Sequence, residues 1–250
     1  MDMDKTKPKP KPAPASPARA AQRDLGSLRP VRVWDVPTRL FHWVLVGLLG
    51  YLWWTGENGP MSDHMLAGYA VLALILWRLI YGVFGSTTAR FTDFVKGPGA
   101  VAGYLKTAFG KGTTTRTKAY VLGHNPAGGW MVLLLLLLVL AQAGTGLFAN
   151  DDIFSEGPLA NLVSKDTSDA LTGWHKNILF PALQVLVGLH VLAAVLYLFV
   201  KGENLIRAMV TGKKPAPPEA EKGLRFASPL VAVAAAVVAG GVVWYIVEVM

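Results

Sequence analysis

The sequence predicts an all-α integral membrane protein, a transmembrane bundle of four helices followed by a fifth, C-terminal transmembrane helix. Hydrophobic residues make up 52% of the 250-residue chain and charged residues only 16%, a composition typical of membrane proteins. Five apolar runs also come close to the roughly 20 residues that an α-helix needs to cross a bilayer. We expect the spans near residues 38–55, 64–84, 130–148, 175–200 and 230–249.

The composition also limits the chemistry. The chain has no cysteine, which excludes disulfides, cysteine-ligated iron–sulfur clusters and covalent c-type haem attachment. Any metal must be held by histidine, methionine or oxygen ligands, or within a cofactor. The net charge of +8 would suggest nucleic-acid binding in a soluble protein, but the positions of the charges along the chain indicate membrane topology instead.

The chain divides into four segments. Residues 1–29 alternate Lys and Pro and predict a disordered, basic cytoplasmic tail that anionic lipids attract. No apolar segment follows its lysines at the distance expected of a signal peptide. Residues 30–207 form the predicted four-helix domain, 208–228 a charged linker and 229–250 the fifth transmembrane helix.

Charge asymmetry predicts the orientation in the membrane. Most of the 24 Lys and Arg fall in the tail, in the linker and in the long loop 85–128, where we expect a short surface helix at 99–109. The other two loops are acidic. We therefore expect a multi-pass protein of the bacterial inner membrane with a cytoplasmic N-terminus and a periplasmic C-terminus. Because topology accounts for the basic surplus, we expect no nucleic-acid partner.

Four histidines fall at two depths of this bundle. His175 and His190 are fifteen positions apart, which is about 22 Å along a helix and only about 60° around it. With this topology His42 and His190 lie toward the cytoplasm, and His64 and His175 lie at the outer ends of their spans. A pair of neutral imidazoles can ligate a haem from both sides, and this leaves no position open for a substrate, as electron transfer requires. Two haem irons about 20 Å apart follow from the helix rise.

Other interpretations of these histidines stay open at this point. Each one alone could be a polar residue at a helix end, and together they could hold metal ions in clustered sites or form a proton relay. His124, in the loop motif GHNPAGG, has no partner at its depth, so we interpret it as a loop or surface residue and as a candidate neighbour of a quinone headgroup. Gly68 lies one turn after His64, on the same face. Pro181 removes a helix hydrogen bond and predicts a kink after His175.

Several motifs, in order along the chain, resemble the bacterial di-haem cytochrome b family. They are VRVWDVPTRLFHW, HMLAGY, WRLIYGVFGSTTARFTDF, GHNPAGG, TGLFANDD and WHKN…LH, between about Val31 and Val200. This family includes the cytochrome b subunit of nickel–iron hydrogenases and the prokaryotic cytochrome b-561 proteins. The resemblance implies a four-helix core with two b-type haems and electron transfer between a periplasmic partner and the quinone pool. The fifth helix and the basic tail lie outside this pattern.

The resemblance also implies roles for individual residues. The histidines of the first and second spans and the two of the fourth act as haem ligands, which assigns His42, His64, His175 and His190. Arg78 and Arg90 lie in the WR…ARF motif, and we expect them to contact haem propionates on the cytoplasmic side. We expect Gly68 to lie beside the cofactor.

The leading functional hypothesis is therefore an electron-transfer subunit of a quinone-linked oxidoreductase system. Its periplasmic partner would be a c-type cytochrome, an iron–sulfur protein or a hydrogenase subunit, which the acidic outer loops attract if it is basic. One alternative is a haem enzyme that oxidises superoxide at the outer haem, although a negative outer surface repels that anion. Another is a haem-free transporter or assembly factor, which would purify colourless.

Overall fold

The computed structural model describes residues 28–109 and 122–250. Residues 1–27 of the predicted tail and 110–121 of the long loop lie outside the described residues. The described part contains eight helices and one small sheet. Their bounds are β1 Arg29–Arg32, α1 Val36–Asn58, α2 Met61–Phe84, α3 Phe91–Phe94, α4 Pro98–Phe109, α5 Pro126–Gly146, α6 Lys165–Lys201, α7 Leu205–Thr211, β2 Lys213–Ala216 and α8 Pro229–Glu248.

Local sequence signals set the N-termini of three long helices. Asp35, Asn125 and Ser228 precede α1, α5 and α8, and each side chain accepts a hydrogen bond from a backbone N–H two or three positions further on. A proline follows within two positions in each case. Such capping satisfies a free backbone donor, and the proline fits the first turn because it lacks an N–H.

The predicted spans are all helices. In the part of the chain that the structure describes, four helices (α2, α5, α6 and α8) are long and apolar enough to cross a membrane. Helix α1 has 23 residues, about 34 Å at the usual rise, but Arg39, His42 and its several aromatic residues make it less apolar. Helix α6 begins at Lys165, ten positions before the predicted start of the fourth span. The prediction of a helical membrane bundle is confirmed.

Helix α2 lies at the centre of the packing. It contacts α1, α5 and α8, and its buried residues Val71, Ile75 and Tyr81 are at most 2% exposed. Ala235 and Ala239 of α8 are equally buried, and such small residues let two helices approach closely. Trp77 of α2 also donates a hydrogen bond to the carbonyl of Ala232, at 2.9 Å. The fifth predicted span thus packs directly on the four-helix core.

The predicted linker contains regular structure. Strand β2 lies within it and pairs antiparallel with β1, so that Arg29 faces Ala216 and Arg32 faces Lys213. The backbone N–H of Thr87 donates to the carbonyl of Arg225, at 2.9 Å. Segment 208–228 is therefore hydrogen-bonded both to the residues before α1 and to the loop that follows α2.

A π-helical turn interrupts α6 between His175 and Leu179. The N–H of Phe180 donates to the carbonyl of His175, five positions earlier, instead of four as in an α-helix. The cause is Pro181, whose ring removes a donor and crowds the preceding turn. The sequence predicted a kink after His175, and the structure has a widened turn that begins at His175.

Candidate haem sites

The structure brings four of the five histidines together in two pairs. His64 of α2 and His175 of α6 have ring centroids 6.3 Å apart, and we call them the outer pair. His42 of α1 and His190 of α6 have centroids 6.4 Å apart, and we call them the inner pair. These are the pairs that the depth argument predicts, although the two partners of each pair lie far apart in sequence.

Both rings of the outer pair are held in the same way. His64 Nδ1 lies 3.1 Å from the carbonyl oxygen of Leu52, and His175 Nδ1 lies 2.9 Å from that of Gln142. A carbonyl oxygen only accepts, so each Nδ1 carries the proton and each Nε2 keeps a lone pair for a metal. This use of the second ring nitrogen fixes the tautomer and orientation of metal-ligating histidines.

A repeated threonine–glycine sequence completes these two contacts. Thr55 and Thr145, three positions after the accepting residues, place their hydroxyls 3.2 and 3.3 Å from the same Nδ1 atoms. Gly56 and Gly146 follow directly. A Cβ at Gly56 would lie 3.2 Å from His64 Cε1, and one at Gly146 would lie 3.1 Å from His175 Cε1. Any larger residue would therefore press on the imidazole.

This Thr-Gly repeat was not predicted from the sequence. The dipeptide Thr-Gly occurs at the end of α1 and again at the end of α5. Each copy lies next to a ring of the outer pair. The signal was visible, but Thr-Gly is common, and only its position beside a histidine of another helix distinguishes these two copies.

The inner pair has different surroundings. His42 Nδ1 is buried and has no hydrogen-bond partner among the described residues. The ring of His42 makes an edge-on contact with Trp43, with centroids 4.9 Å apart. No carbonyl holds it in the way that Leu52 holds His64.

Both ring separations fit one metal ion between two imidazoles. A metal–imidazole bond is about 2.0 Å long, so two rings on opposite sides of one metal ion have centroids roughly 6 Å apart. Within residues 28–109 and 122–250, no group of three or more His, Cys, Asp or Glu side chains could hold a metal ion. Two histidines alone make an incomplete site for a bare ion, which usually takes four protein ligands. They are a complete axial pair for a haem, whose ring supplies the other donors.

The glycine predicted to lie beside the cofactor has open space next to it. A Cβ built at Gly68 meets nothing within 4 Å, in contrast to Gly56 and Gly146. Gly68 follows His64 by one turn of α2. A planar group ligated by His64 can therefore extend past this position, and the residues of the outer pair fit a b-type haem.

The two arginines of the WR…ARF motif differ in their contacts. Arg78 is 3% exposed, donates from Nη2 to the carbonyl of Ala89 at 2.9 Å, and lies over the ring of Phe91 at 5.0 Å. Arg90 is about one-third exposed and forms an ion pair with Asp93, at 2.7 Å. The Nη1 of Arg78 is buried without a partner in the described part of the chain.

His124 lies in a loop, as predicted, and is half-buried, with its ring packed against other aromatic side chains. Its centroid lies 4.8 Å from that of Trp34 and 4.6 Å from that of Phe94. Burial, together with the nearby positive charges of Arg78 and Lys214, lowers the pKa of His124 to about 3. The imidazole is therefore neutral at physiological pH.

The fold and the two pairs define a helical membrane protein whose paired histidines fit haem. The chain belongs to the prokaryotic cytochrome b561 family, whose model matches residues 33–212. Members of this family are membrane b-type cytochromes, so the protein binds haem b and transfers electrons. Comparisons with curated proteins and with solved structures give no match.

Proposed function

We propose that this protein binds two b-type haems, one at each histidine pair, and moves electrons across the inner membrane between a periplasmic redox partner and the quinone pool. The observation that carries the proposal is the presence of two imidazole pairs with nearly equal separations, 6.3 and 6.4 Å. Each bound haem supplies one-electron redox chemistry.

The protein's own residues prepare both sites. The four histidines would ligate the two haem irons, and at the outer pair two backbone carbonyls accept hydrogen bonds from Nδ1, which raises the basicity of the ligands. No ligand position is left for a substrate at a haem with two axial histidines, so the protein's role is to carry electrons.

Charge distribution supports the proposed orientation. The acidic residues Asp151, Asp152 and Glu156 lie in the loop between α5 and α6, at the end of the molecule that carries the outer pair. The strands β1 and β2 and helix α7 lie at the end of the inner pair and carry Arg29, Arg32, Arg207, Lys213 and Lys214. Positive charge stays on the cytoplasmic side, so we assign the inner pair to that side.

A loop tip beside the outer pair is proposed to be the contact for the periplasmic partner. Ile153 and Phe154 are 73% and 95% exposed, although they belong to an ordered loop. The Asp151 carboxylate accepts hydrogen bonds from the N–H groups of Ile153, Phe154 and Ser155. These backbone bonds, that of Ser155 foremost, hold the pKa of Asp151 well below its usual range, so it remains negative. An apolar tip with an acidic surround fits a partner that has an apolar contact patch ringed by basic residues.

This tip is connected to the helix that carries His175. The N–H of Asn150 donates to the hydroxyl of Thr172, at 3.0 Å, and the side-chain amide of Asn150 donates to Asp169, at 2.9 Å. Thr172 lies three residues before His175. A partner docked on the tip would therefore lie beside the outer site.

A reduced-minus-oxidised optical spectrum of the purified protein, with haem quantified per chain, tests the proposal. We expect two b-type haems in the wild type and one in either His42→Ala or His175→Ala. The matched control is Tyr245→Ala, an exposed aromatic residue of α8, which should retain two. One haem in the wild type, or no loss in the histidine variants, contradicts the proposed pairing.

The quinone part of the proposal has its own test. We expect a soluble quinone analogue to reoxidise the chemically reduced wild-type protein, and to do so much more slowly in His42→Ala, which lacks the inner site. Equal reoxidation rates in both proteins would exclude the inner end as the quinone exit.

A further inference from the structure

Four polar side chains from three helices meet at the inner end of the molecule, the end that carries the inner pair. Tyr104 lies on α4, Asn125 precedes α5, and Tyr197 and Lys201 lie in the last two turns of α6. The phenols of Tyr104 and Tyr197 share a hydrogen bond, and the side-chain amide of Asn125 donates to the Tyr197 oxygen at 2.7 Å. Lys201 Nζ donates to the Tyr104 oxygen at 3.2 Å. We call these four residues the donor cluster.

The donor cluster has more hydrogen-bond donors than acceptors. An ammonium, a side-chain amide and two phenols all carry N–H or O–H groups. Only one of the two phenol protons can lie in the bond between Tyr104 and Tyr197, so the other is free to donate. The amide oxygen of Asn125 is already used, because it accepts from the backbone N–H of Gly128 at 2.8 Å. A ligand that joins this cluster must therefore accept hydrogen bonds.

The positive charge of Lys201 is not neutralised by a carboxylate. Lys201 forms no ion pair within the described residues, and Glu203, the carboxylate nearest to it in the sequence, pairs with Lys214 at 2.7 Å. The ammonium instead lies over the rings of Tyr104 and Tyr197, 5.2 and 4.6 Å from their centroids. Such cation–π contacts position a cation but leave its charge in place. The acceptor that the cluster fits best is therefore an anion.

The surroundings of the donor cluster indicate the level of the lipid headgroups. Lys201 is the last residue of α6, one of the helices long and apolar enough to cross a membrane. Trp130, near the start of α5, donates to the carbonyl of Lys96 at 2.8 Å, and tryptophan and tyrosine are enriched at the membrane–water interface. Phe199 and Val200, next to the cluster, are 79% and 75% exposed. A ligand with an anionic head and an apolar chain fits both parts of this surface.

We propose that the donor cluster binds the phosphate group of an anionic phospholipid in the cytoplasmic leaflet. The free phosphate oxygens would accept from Lys201 and from the available phenol, and an acyl chain would lie along Phe199 and Val200. Lysine is a common phosphate ligand, and anionic lipids of this leaflet attract basic residues. A zwitterionic phospholipid brings its own cation, and a quinone is uncharged, so neither neutralises Lys201. Only the choice of leaflet rests on the proposed orientation, and binding in detergent does not depend on it.

The test is a lipid titration of the purified full-length protein in detergent. Dioleoylphosphatidylglycerol, which is anionic, and dioleoylphosphatidylcholine, which is zwitterionic, are added separately, and the lipid bound per chain is measured by native mass spectrometry. Inorganic phosphate and a soluble quinone analogue are then tested as competitors. The variants are Lys201→Gln, Tyr104→Phe and Tyr197→Phe. The matched control is Lys106→Gln, which removes another exposed lysine at the same end, and the optical spectrum gives the haem content of each protein.

We expect the wild type to bind phosphatidylglycerol more tightly than phosphatidylcholine. Lys201→Gln should raise the Kd for phosphatidylglycerol about tenfold, because a charge-assisted hydrogen bond is lost, and should remove the preference over phosphatidylcholine. Tyr104→Phe and Tyr197→Phe should each raise this Kd about threefold, as for a neutral hydrogen bond. Lys106→Gln should bind as the wild type does. Haem content should stay unchanged in all variants, because the cluster supplies no haem ligand.

Wild-type affinity in the two tyrosine variants overturns the proposal, even if Lys201→Gln fails to fold. Equal weakening in Lys106→Gln and Lys201→Gln would indicate general attraction between this basic end and anionic lipid, and overturns it as well. Displacement of the lipid by inorganic phosphate would assign the cluster to free phosphate, and displacement by the quinone analogue would assign it to quinone. Either displacement overturns the lipid assignment. Loss of haem in Lys201→Gln would place the cluster in the inner haem site and contradict the proposal too.

Discussion

The outer and inner histidine pairs have almost the same ring separation but are held by different means. At the outer pair, the carbonyls of Leu52 and Gln142 accept from the imidazoles, and a Thr-Gly sequence closes each contact. At the inner pair, His42 Nδ1 has no such partner in the described chain. The rings of the outer pair are therefore positioned by backbone carbonyls, whereas at the inner pair no such contact fixes the ring of His42.

The different surroundings of the two histidine pairs would give the metals that they hold different redox potentials. A hydrogen bond from Nδ1 to a carbonyl makes the imidazole a more basic ligand, which favours the oxidised metal. Buried positive charge, as at Arg78, favours the reduced metal. We therefore expect the outer haem to have the lower potential. Such an order makes transfer from the outer to the inner site favourable.

The largest expected effect tests the preorganisation of the outer site. Gly146→Ala places a methyl group 3.1 Å from His175 Cε1, so the ring must shift by a few tenths of an ångström and the hydrogen bond of its Nδ1 to the Gln142 carbonyl is disturbed. We expect the outer haem to be lost or loosely bound while the inner haem remains, as measured by haem content and optical spectra. The control is Gly240→Ala on α8, where a Cβ meets nothing within 4 Å. Full haem content in Gly146→Ala would mean that the outer contacts do not determine ligation.

The second prediction tests the polar network at the inner end. Asp35 is 3% exposed and accepts from Thr38, Tyr81 and Ser86. We expect Asp35→Asn to reduce the free energy of unfolding by about 2 kcal/mol, because hydrogen bonds to a charged group are lost. Asp63→Asn, whose carboxylate accepts only exposed hydrogen bonds, from Tyr51 and Ser62, is the control and should cost much less. Unfolding in mixed detergent micelles measures both.

The same network has a predictable pH dependence. Burial raises the pKa of Asp35, but hydrogen bonds from Ser86, Thr38 and Tyr81 outweigh it and lower the pKa below its usual value. A lowered pKa stabilises the folded state above the unfolded pKa of about 3.9. The advantage of the wild type over Asp35→Asn should thus be complete above about pH 4 and decrease as the pH falls further. An advantage that grows in acid would contradict this assignment.

The third prediction tests the partner surface of the outer end. Phe154→Ser should change stability by less than about 0.5 kcal/mol, because the side chain is almost fully exposed. We expect it to raise the KM for reduction of a basic c-type cytochrome by about tenfold, as for an aromatic contact residue, with kcat unchanged. Leu66→Ser, which removes another exposed apolar side chain, is the control. Higher ionic strength should slow the wild type through screening.

Two results would contradict the docking role of the tip. One is an unchanged KM in Phe154→Ser. The other is a loss of membrane association in this variant with normal kinetics toward the cytochrome, which would assign Phe154 to the lipid interface.

The fourth prediction, with the smallest expected effect, separates the contribution of the Thr145 hydroxyl from that of the Gln142 carbonyl at the outer pair. Thr145→Val removes a hydroxyl 3.3 Å from His175 Nδ1 but leaves the carbonyl contact of Gln142. We expect two haems, with outer-haem affinity reduced by about 0.5 kcal/mol, roughly twofold, at the low end for one hydrogen bond. Haem transfer to an acceptor protein measures this. Thr107→Val, on α4 away from both pairs, is the control. A large loss would mean that the hydroxyl, and not the carbonyl, fixes the ring.

The sequence predicted the helices and the histidine pairs well, because both follow from local regularities. Apolar runs located five helices within a few residues, apart from the early start of α6 at Lys165. The expected depths of the histidines in the membrane predicted that His42 lies near His190 and that His64 lies near His175. The roles of these residues as ligands, and those of Arg78, Arg90 and Gly68 beside the cofactor, stay predictions.

The sequence alone determined that this chain is a helical membrane protein with histidines at two depths, because apolar length and helix periodicity are properties of single segments. Only the tertiary structure decided how the rings are held. The Gln142 carbonyl reaches His175 from 33 positions away, strand β2 joins the predicted linker to the residues before α1, and His124 packs between Trp34 and Phe94. Such contacts depend on which helix faces meet, and no local pattern specifies that.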